Sequence, residues 1–309
     1  MEYAGYLFVH FTGEHKDGEQ VYFSVSRDGL HWQDLNDGQP VLRSNLGELG
    51  ARDPFLIRSP WSADGTQKYY LIATDLRIEA GKGWHVAQYE ASRDIIVWES
   101  ENLVDWSEPW ACTIGVPGAG CVWAPEAVYD EEEDAILVFW ASMTRMAPEE
   151  EPKQRIFASY TKDFRTFTEP QVYIERDNHV IDTTILRTAE GYYRYSKDET
   201  TKNIRVDFGK DLRAESFKEM HSETLAPLFG VEGPEIFKFN DREEWCLIVD
   251  RFAEGKGYLP LITDNPASGS FRILGDDEFD MGKAKKRHGG VINITETEYQ
   301  VLVERFGTN

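Results

Sequence analysis

The stretch Ala51-Arg52-Asp53-Pro54-Phe55-Leu56-Ile57-Arg58 sets an acidic residue directly before a short apolar run that is typical of a buried strand. Four further segments share this plan, with an ionisable group close to a predicted strand start: 123–129, 181–187, 231–238 and 287–292. If the five strands lie side by side around one axis, their ionisable groups converge on a single place. Our functional hypothesis is that these groups form one site.

Pairs of strands followed by a turn and an aromatic residue recur along the chain. The aromatic residues that close these units are Trp32, Trp106, Phe167, Phe217 and Phe271. Repeats of several short strands at such spacings are typical of a β-propeller, and five markers predict five blades. The sequence therefore predicts an all-β fold, a single five-bladed β-propeller domain over residues 1–309.

The two chain ends are predicted to meet. The first blade lacks a leading strand, and residues 290–294 can supply it, so that pairing of the N- and C-terminal segments closes the ring and leaves no open sheet edge. Thr295 to Glu298 is a capping-box pattern followed by apolar residues at helical spacing, which predicts a short C-terminal helix.

Composition limits the classes of partner. The 309 residues are 41% hydrophobic, which is enough for a full core, and no Pro/Gly/Ser-rich linker divides them. The net charge of -22 disfavours nucleic acid and anionic membrane as partners. Cys112, Cys121 and Cys246 lack metal-ligand spacing and are expected to be ordinary thiols. The first residues lack a leader pattern, so a cytoplasmic location is expected, and the oligomeric state is left open.

Three carboxylates from different blades could face one ligand: Asp53, Asp182 and Glu232. Such a set suits glycoside hydrolysis, in which one carboxylate activates water and one protonated acid delivers a proton to the leaving oxygen. A third charge would help to keep that acid protonated, because like charges in a desolvated pocket raise one another's pKa.

Five short motifs together carry a resemblance to a known family: Arg52-Asp53-Pro54, Trp123-Ala124-Pro125-Glu126, Ile181-Asp182, Val231-Glu232-Gly233-Pro234 and Arg287-His288-Gly289. In this combination the chain resembles glycoside hydrolase family 43, the five-bladed propeller enzymes that include arabinofuranosidases, arabinanases and β-xylosidases. The resemblance implies that Asp53 is the general base, that Asp182 tunes and orients the acid, and that Glu232 is the general acid. It also implies inversion at the anomeric centre, with base and acid roughly 6.5–9.5 Å apart.

The resemblance extends to the axis of the ring. His288 matches a family histidine that, in some members, helps to hold calcium or another cation through water, although the chemistry itself needs no cofactor. Two departures stand out: Thr183 replaces a usual Pro, and Glu126 replaces a usual Asp, which bears on the shape of the sugar subsite.

Substrate contacts are predicted for Trp123, Glu126, Arg251 and His288. Trp123 is either a platform for sugar stacking or a core aromatic residue, and Arg251 either bonds sugar hydroxyls or forms a surface ion pair. His288 is equally compatible with a hydrogen-bonded core position.

The leading hypothesis is an exo-acting α-L-arabinofuranosidase for short arabinose-containing oligosaccharides. Exo-β-xylosidase and exo-β-galactosidase stay open, because the catalytic trio is shared. A related family, glycoside hydrolase family 32, also uses Arg-Asp-Pro in a retaining reaction, but its Asn-Asp-Pro-Asn and Glu-Cys motifs are missing from this sequence. From a different class, a non-catalytic sugar-binding propeller also fits.

Overall fold

The apolar runs of the sequence form four-stranded antiparallel sheets, and each sheet is one blade of a propeller. The computed structural model describes residues 2–62, 65–147 and 150–307. Blade I holds β1 (Gly5–His10), β2 (Tyr22–Ser26) and β3 (Trp32–Asp34). Blade II holds β4 (Arg52–Arg58), β5 (Tyr69–Thr74), β6 (Asp94–Ser100) and β7 (Trp110–Thr113). A short helix, α1 (Gly83–Tyr89), follows a π-helical turn (Ile78–Lys82) between β5 and β6.

The remaining blades repeat the same order. Blade III holds β8 (Trp123–Asp130), β9 (Ala135–Thr144), β10 (Lys153–Thr161) and β11 (Gln171–Ile174). Blade IV holds β12 (Val180–Arg187), β13 (Tyr192–Asp198), β14 (Asn203–Gly209) and β15 (Lys218–Met220). Blade V holds β16 (Glu232–Lys238), β17 (Trp245–Asp250), β18 (Tyr258–Thr263) and β19 (Arg272–Ile273). The chain ends with β20 (Gly289–Ile294) and α2 (Glu296–Phe306).

The two chain ends close the ring, as the sequence predicts. Strand β20 pairs antiparallel with β1, with Gly5 opposite Ile294 and His10 opposite Gly289, and it becomes the innermost strand of blade I. The innermost strands β20, β4, β8, β12 and β16 each contact the next around the axis, and β16 contacts β20. The five-bladed propeller is thereby confirmed.

The hydrophobic core is divided among the five contacts between neighbouring blades. In β1, Leu7 and Val9 pack toward blade II, whereas Tyr6 and Phe8 pack toward blade V. Because both faces of a blade are covered, such a strand is a continuous apolar run and does not alternate with polar residues.

A side-chain-stabilised turn precedes the closing aromatic residue in three of the five predicted units. In blade I, Asp28 Oδ1 accepts hydrogen bonds from the backbone N–H groups of Leu30 and His31, and the turn ends at buried Trp32. Asn102 in blade II and Asp163 in blade III make the same pair of bonds. Asp and Asn favour such turns because the side chain caps the backbone two residues on.

Helix α2 is the predicted C-terminal helix. The Thr295 side chain accepts from Glu298 N, and Glu298 Oε2 accepts from Thr295 N, which completes the capping box. Glu298 also binds Arg58 of β4 at 2.6 Å, so the helix is tied to blade II across the ring closure. Within the described residues, none of the helices has the length and apolar character needed to cross a bilayer.

Candidate active site

The predicted acids lie within the first three residues of their innermost strands: Glu232 is first in β16, Asp53 is second in β4 and Asp182 is third in β12. In blades II to V, the pairing of the innermost strand with its neighbour shifts register at one equivalent place. The residue there has a left-handed backbone: Asp53 (φ 49°), Ala124 (φ 47°), Asp182 (φ 45°) and Gly233 (φ 48°). Bulges re-aim side chains, and strained backbone of this kind is found at functional sites.

Proline occupies this bulge in three of the four blades. Pro54, Pro125 and Pro234 follow the left-handed residue, where a missing N–H costs no ladder hydrogen bond. Blade IV has Thr183 instead, and its hydroxyl lies 2.9 Å from the Ser196 hydroxyl on β13. The bulge at Asp182 is kept, so the first departure from the family pattern does not change the local backbone.

A cavity of ≈ 320 Å³ opens beside the bulges at Asp53 and Asp182. Five of the residues predicted from the sequence line it: Asp53, Trp123, Asp182, Glu232 and His288. The convergence of acids from blades II, IV and V on one place is therefore observed. Asp53 and Asp182 are more than a hundred residues apart in the sequence, and the closed ring of blades brings them to the same cavity.

His288 stands at the centre of the acidic groups. Its Nδ1 lies 3.7 Å from Asp53 Oδ1 and 3.8 Å from Asp182 Oδ1, and its Nε2 lies 3.6 Å from Glu126 Oε1. Burial disfavours the imidazolium, but Asp182, Glu126 and Asp53 outweigh burial and raise the pKa of His288 to about 10. His288 is thus a buried cation that compensates three carboxyl groups.

Asp53 and Asp182 each accept a further hydrogen bond from a neighbouring strand. Thr74 Oγ1 donates to Asp53 Oδ2 at 3.0 Å, and Gly233 N donates to Asp182 Oδ2 at 3.1 Å. Burial raises the pKa of Asp182 to about 6. Because Gly233 follows Glu232 directly, the bond from Asp182 fixes the backbone beside the predicted acid.

Glu232 is clamped by two cations. Its Oε2 lies 2.7 Å from Lys197 Nζ, and its Oε1 lies 2.7 Å from an Arg287 guanidinium nitrogen. Burial acts to raise the pKa of Glu232, but Lys197 and Arg287 together outweigh burial and lower it. The expectation that neighbouring acids raise the pKa of Glu232 is therefore wrong, since two positive charges stand closer to it.

Glu126, which replaces the family's usual Asp, is buried and is not among the described residues that line the cavity. Its side chain is 3% exposed, and burial raises its pKa to about 7. Beside it, Glu235 accepts from Thr184 Oγ1 and from Val291 N, and burial raises the pKa of Glu235 well above its usual range. The second departure thus concerns a carboxyl group close to His288 and not one that lines the cavity.

The predicted cation at the axis, held through water beside His288, stays a prediction. Among the residues that the structure describes, no group of three or more His, Cys, Asp or Glu side chains is arranged to hold a metal ion.

Two tryptophans form part of the wall. Trp123 of β8 and Trp84 of α1 meet edge to face with ring centroids 6.1 Å apart, and Trp84 is 47% exposed. The segment that carries Trp84 is anchored by Glu19, which accepts from Ile78 N and Glu79 N at 2.8 Å each. An aromatic face of this kind is suited to stacking on a sugar ring.

Arg251 is not among the described residues that line the cavity. Its guanidinium binds Asp276 at 3.2 Å and the Gly257 carbonyl, as in the surface ion pair that the sequence left open. The neighbouring Phe252 lines the cavity instead.

Several cavity residues were not selected from the sequence, among them Arg52, Trp84, Lys197 and Arg287. Arg52 and Arg287 stand inside the quoted motifs, so their position was visible although their role was not. Lys197 pairs with Ile181 across β12 and β13, which shows that the end of the second strand of a blade also reaches the cavity.

Comparison with known proteins agrees with this geometry. A family model described as a probable glycosyl hydrolase domain, related to family 43, matches residues 1–300. An α-L-arabinofuranosidase of Bifidobacterium longum subsp. longum is 31% identical over 311 residues, which cover 88% of this chain and 28% of that protein. The chain therefore spans less than a third of the length of this curated relative.

Solved structures show the same fold at low sequence identity. A candidate exo-β-1,3-galactanase of Bifidobacterium bifidum s17 superposes with a TM-score of 0.60 at 14% identity, covering 92% of this chain and 91% of that one. A thermostable family-43 glycoside hydrolase gives a TM-score of 0.52 at 16% identity, covering 76% and 75%. Since the family model spans nearly the whole chain, this protein belongs to the family 43-related glycosyl hydrolases.

Proposed function

We propose that the chain is an inverting exo-glycoside hydrolase that releases terminal α-L-arabinofuranose from short arabinose-containing oligosaccharides. Family membership makes the reaction hydrolysis of a glycosidic bond and the substrate a carbohydrate. The observation that carries the proposal is the convergence of Asp53, Asp182 and Glu232 on one cavity. The choice of arabinose is supported by the arabinofuranosidase relative.

The size of the cavity supports exo action on a single terminal sugar. At ≈ 320 Å³ it lies at the lower end of the range of about 300–1,000 Å³ that is typical of small-ligand pockets. Trp84, Trp123 and other apolar side chains line part of the cavity, and charged side chains line most of the remainder. Such a lining suits a sugar, which has an apolar ring face and polar edges.

In the proposed reaction Asp53 takes a proton from a water molecule as that water attacks the anomeric carbon. The bond between the anomeric carbon and the leaving oxygen breaks, and Glu232 gives its proton to that oxygen. The products are a sugar of inverted configuration and an alcohol. Asp53 is left protonated and Glu232 ionised, and exchange with solvent restores both. Asp182 positions Glu232 through its bond to Gly233 N.

A panel of aryl glycosides tests this proposal. Wild type and Asp53→Asn are assayed on α-L-arabinofuranoside, β-D-xyloside and β-D-galactoside substrates. We expect the arabinofuranoside to be cleaved fastest, and we expect Asp53→Asn to lose about 10²–10⁴-fold because a positioned base is removed.

The outcomes separate the alternatives. Faster cleavage of the xyloside or galactoside would overturn the arabinose assignment while leaving the hydrolase intact. Sugar binding without cleavage of any substrate in the panel would favour a non-catalytic propeller. A matched control is Arg251→Gln, outside the cavity, which should retain wild-type kcat/KM within about threefold, as is usual for surface substitutions.

A further inference from the structure

Lys197 is a buried cation at the junction between two of the proposed catalytic acids. Its side chain is 3% exposed, and it lies at the end of β13, directly opposite Ile181 and beside Asp182. Its Nζ is 2.7 Å from Glu232 Oε2 and 2.6 Å from Glu199 Oε2. The ring of Phe252 covers it, with Nζ 4.4 Å from the ring centroid.

We propose that Lys197 is a positioning residue that holds the Glu232 side chain in one place through its contact with Oε2, and thereby controls the ability of Glu232 to act as the acid. The proposal rests on the function proposed above, in which Glu232 is the proton donor. An ammonium group at hydrogen-bond distance fixes the direction of a carboxylate and favours its ionised form.

The other charged groups that face Glu232 do not replace Lys197. Arg287 divides its guanidinium between Glu232 and Asp250, whose Oδ2 lies 2.5 Å from Nε, and it also approaches Glu14 at 3.5 Å. Asp182 and Asp250 are acids and act in the opposite direction. Lys197 is therefore the cation on the Oε2 side of the carboxyl group, and Arg287 is the cation on the Oε1 side.

Glu199 allows Lys197 to remain charged when Glu232 takes up its proton. Burial acts to lower the pKa of Lys197, but Glu232, Asp182 and Glu199 outweigh burial and raise it. When Glu232 is neutral, Glu199 at 2.6 Å still compensates the ammonium group. The pocket can thus pass between the ionised and protonated forms of Glu232 without leaving a buried charge unpaired.

The ligand-free protein gives a direct test. The Glu232 carboxyl carbon is followed by ¹³C NMR against pH in wild type, Lys197→Met and Lys197→Arg, with Glu232→Gln to assign the signal. We expect Lys197→Met to raise the titration midpoint by about 1–3 pH units, since the nearest opposite charge is lost, and Lys197→Arg to keep it near wild type. Glu199→Gln should move the midpoint the other way, because it removes a nearby negative charge.

The pH dependence of kcat/KM gives a second test. In Lys197→Met the alkaline limb of the kcat/KM profile should move upward by the same amount, since that limb reports loss of the acid's proton. An unchanged Glu232 midpoint in Lys197→Met, or a uniform loss of activity at every pH, would overturn the proposal and indicate a purely structural lysine. If Lys197→Met does not fold, Lys197→Gln replaces it and the same results decide.

The NMR measurement separates this proposal from the proposed function. A wild type that cleaves none of the glycosides would refute the function, while the Glu232 midpoint would still report on Lys197. A wild type that cleaves arabinofuranosides with no midpoint shift in Lys197→Met would refute only the role of Lys197.

Discussion

Replacing Glu232 by glutamine should slow hydrolysis to an extent that depends on the leaving group. Glutamine keeps the shape of the side chain but has no proton to give to the leaving oxygen. Loss of a positioned acid costs about 10²–10⁴-fold, or about 3–5 kcal/mol of transition-state stabilisation, when the leaving oxygen needs the proton. A dinitrophenolate leaves without help, so its hydrolysis should fall by less than about tenfold.

The surroundings of Glu232 indicate that this variant will fold. Arg287 keeps its contact to Asp250 at 2.5 Å, and Lys197 keeps its contact to Glu199 at 2.6 Å, so neither cation is left unpaired. The assay is kcat/KM over a series of aryl arabinofuranosides of increasing leaving-group basicity. Arg251→Gln is the matched control, because its guanidinium binds Asp276 outside the cavity, and any change in its kcat/KM should not vary with the leaving group.

Equal losses by Glu232→Gln on good and poor leaving groups would refute the reasoning. In that case Glu232 would act only through binding or charge, and Asp182, whose pKa is raised to about 6, would be the next carboxyl group to test as the acid.

Three further predictions concern pH, substrate length and stability. Burial raises the pKa of Glu126 to about 7 from 4.5, so the folded state binds more protons than the unfolded state between these values, and stability should fall as pH rises through this window. Urea unfolding should show a weaker pH dependence over this range in Glu126→Gln, and an unchanged slope would contradict this. Trp84→Ala should raise KM for arabino-oligosaccharides several-fold but leave methyl arabinofuranoside kinetics within about twofold, since loss of an exposed stacking face costs on the order of 1 kcal/mol; equal effects on both substrates would argue against stacking. Glu298→Gln should destabilise the fold by about 1–2 kcal/mol by weakening the α2 cap and the bond to Arg58, with kcat/KM unchanged, and calorimetry showing no loss would contradict that anchor.

The blade count was predictable because it depends on local chemistry, and the ring closure was predictable because the repeat left one blade without its first strand. Asp28, Asn102 and Asp163 cap turns within their own segments, and each aromatic residue that follows closes a blade. The apolar strand near the C-terminus had no other partner in the repeat, so its pairing with β1 followed from the pattern.

The acids were recognisable from their motifs, but their electrostatics were not. Whether Glu232 gains or loses affinity for its proton depends on Lys197, 35 residues earlier, and on Arg287, 55 residues later. Nothing in the local sequence fixes those distances. The bulge at Asp53 and Asp182 was also hidden, because a left-handed backbone at a non-glycine residue is imposed by the fold and not by the residue itself.

The position of the segment that carries Trp84 also could not be predicted from the sequence. Residues 78–89 give no strand or blade signal, and their placement depends on Glu19 from blade I. Loops that shape a pocket are held by contacts from other blades, so the residues that select the sugar cannot be located from the repeat pattern.

The most direct test of the account is the configuration of the first product, followed by proton NMR during hydrolysis of an aryl α-L-arabinofuranoside. If Asp53 activates water on one side of the sugar while Glu232 protonates the leaving oxygen on the other, the β-anomer must appear first and mutarotate later. Initial release of the α-anomer would mean that a covalent intermediate forms, and it would contradict the assignment of base and acid.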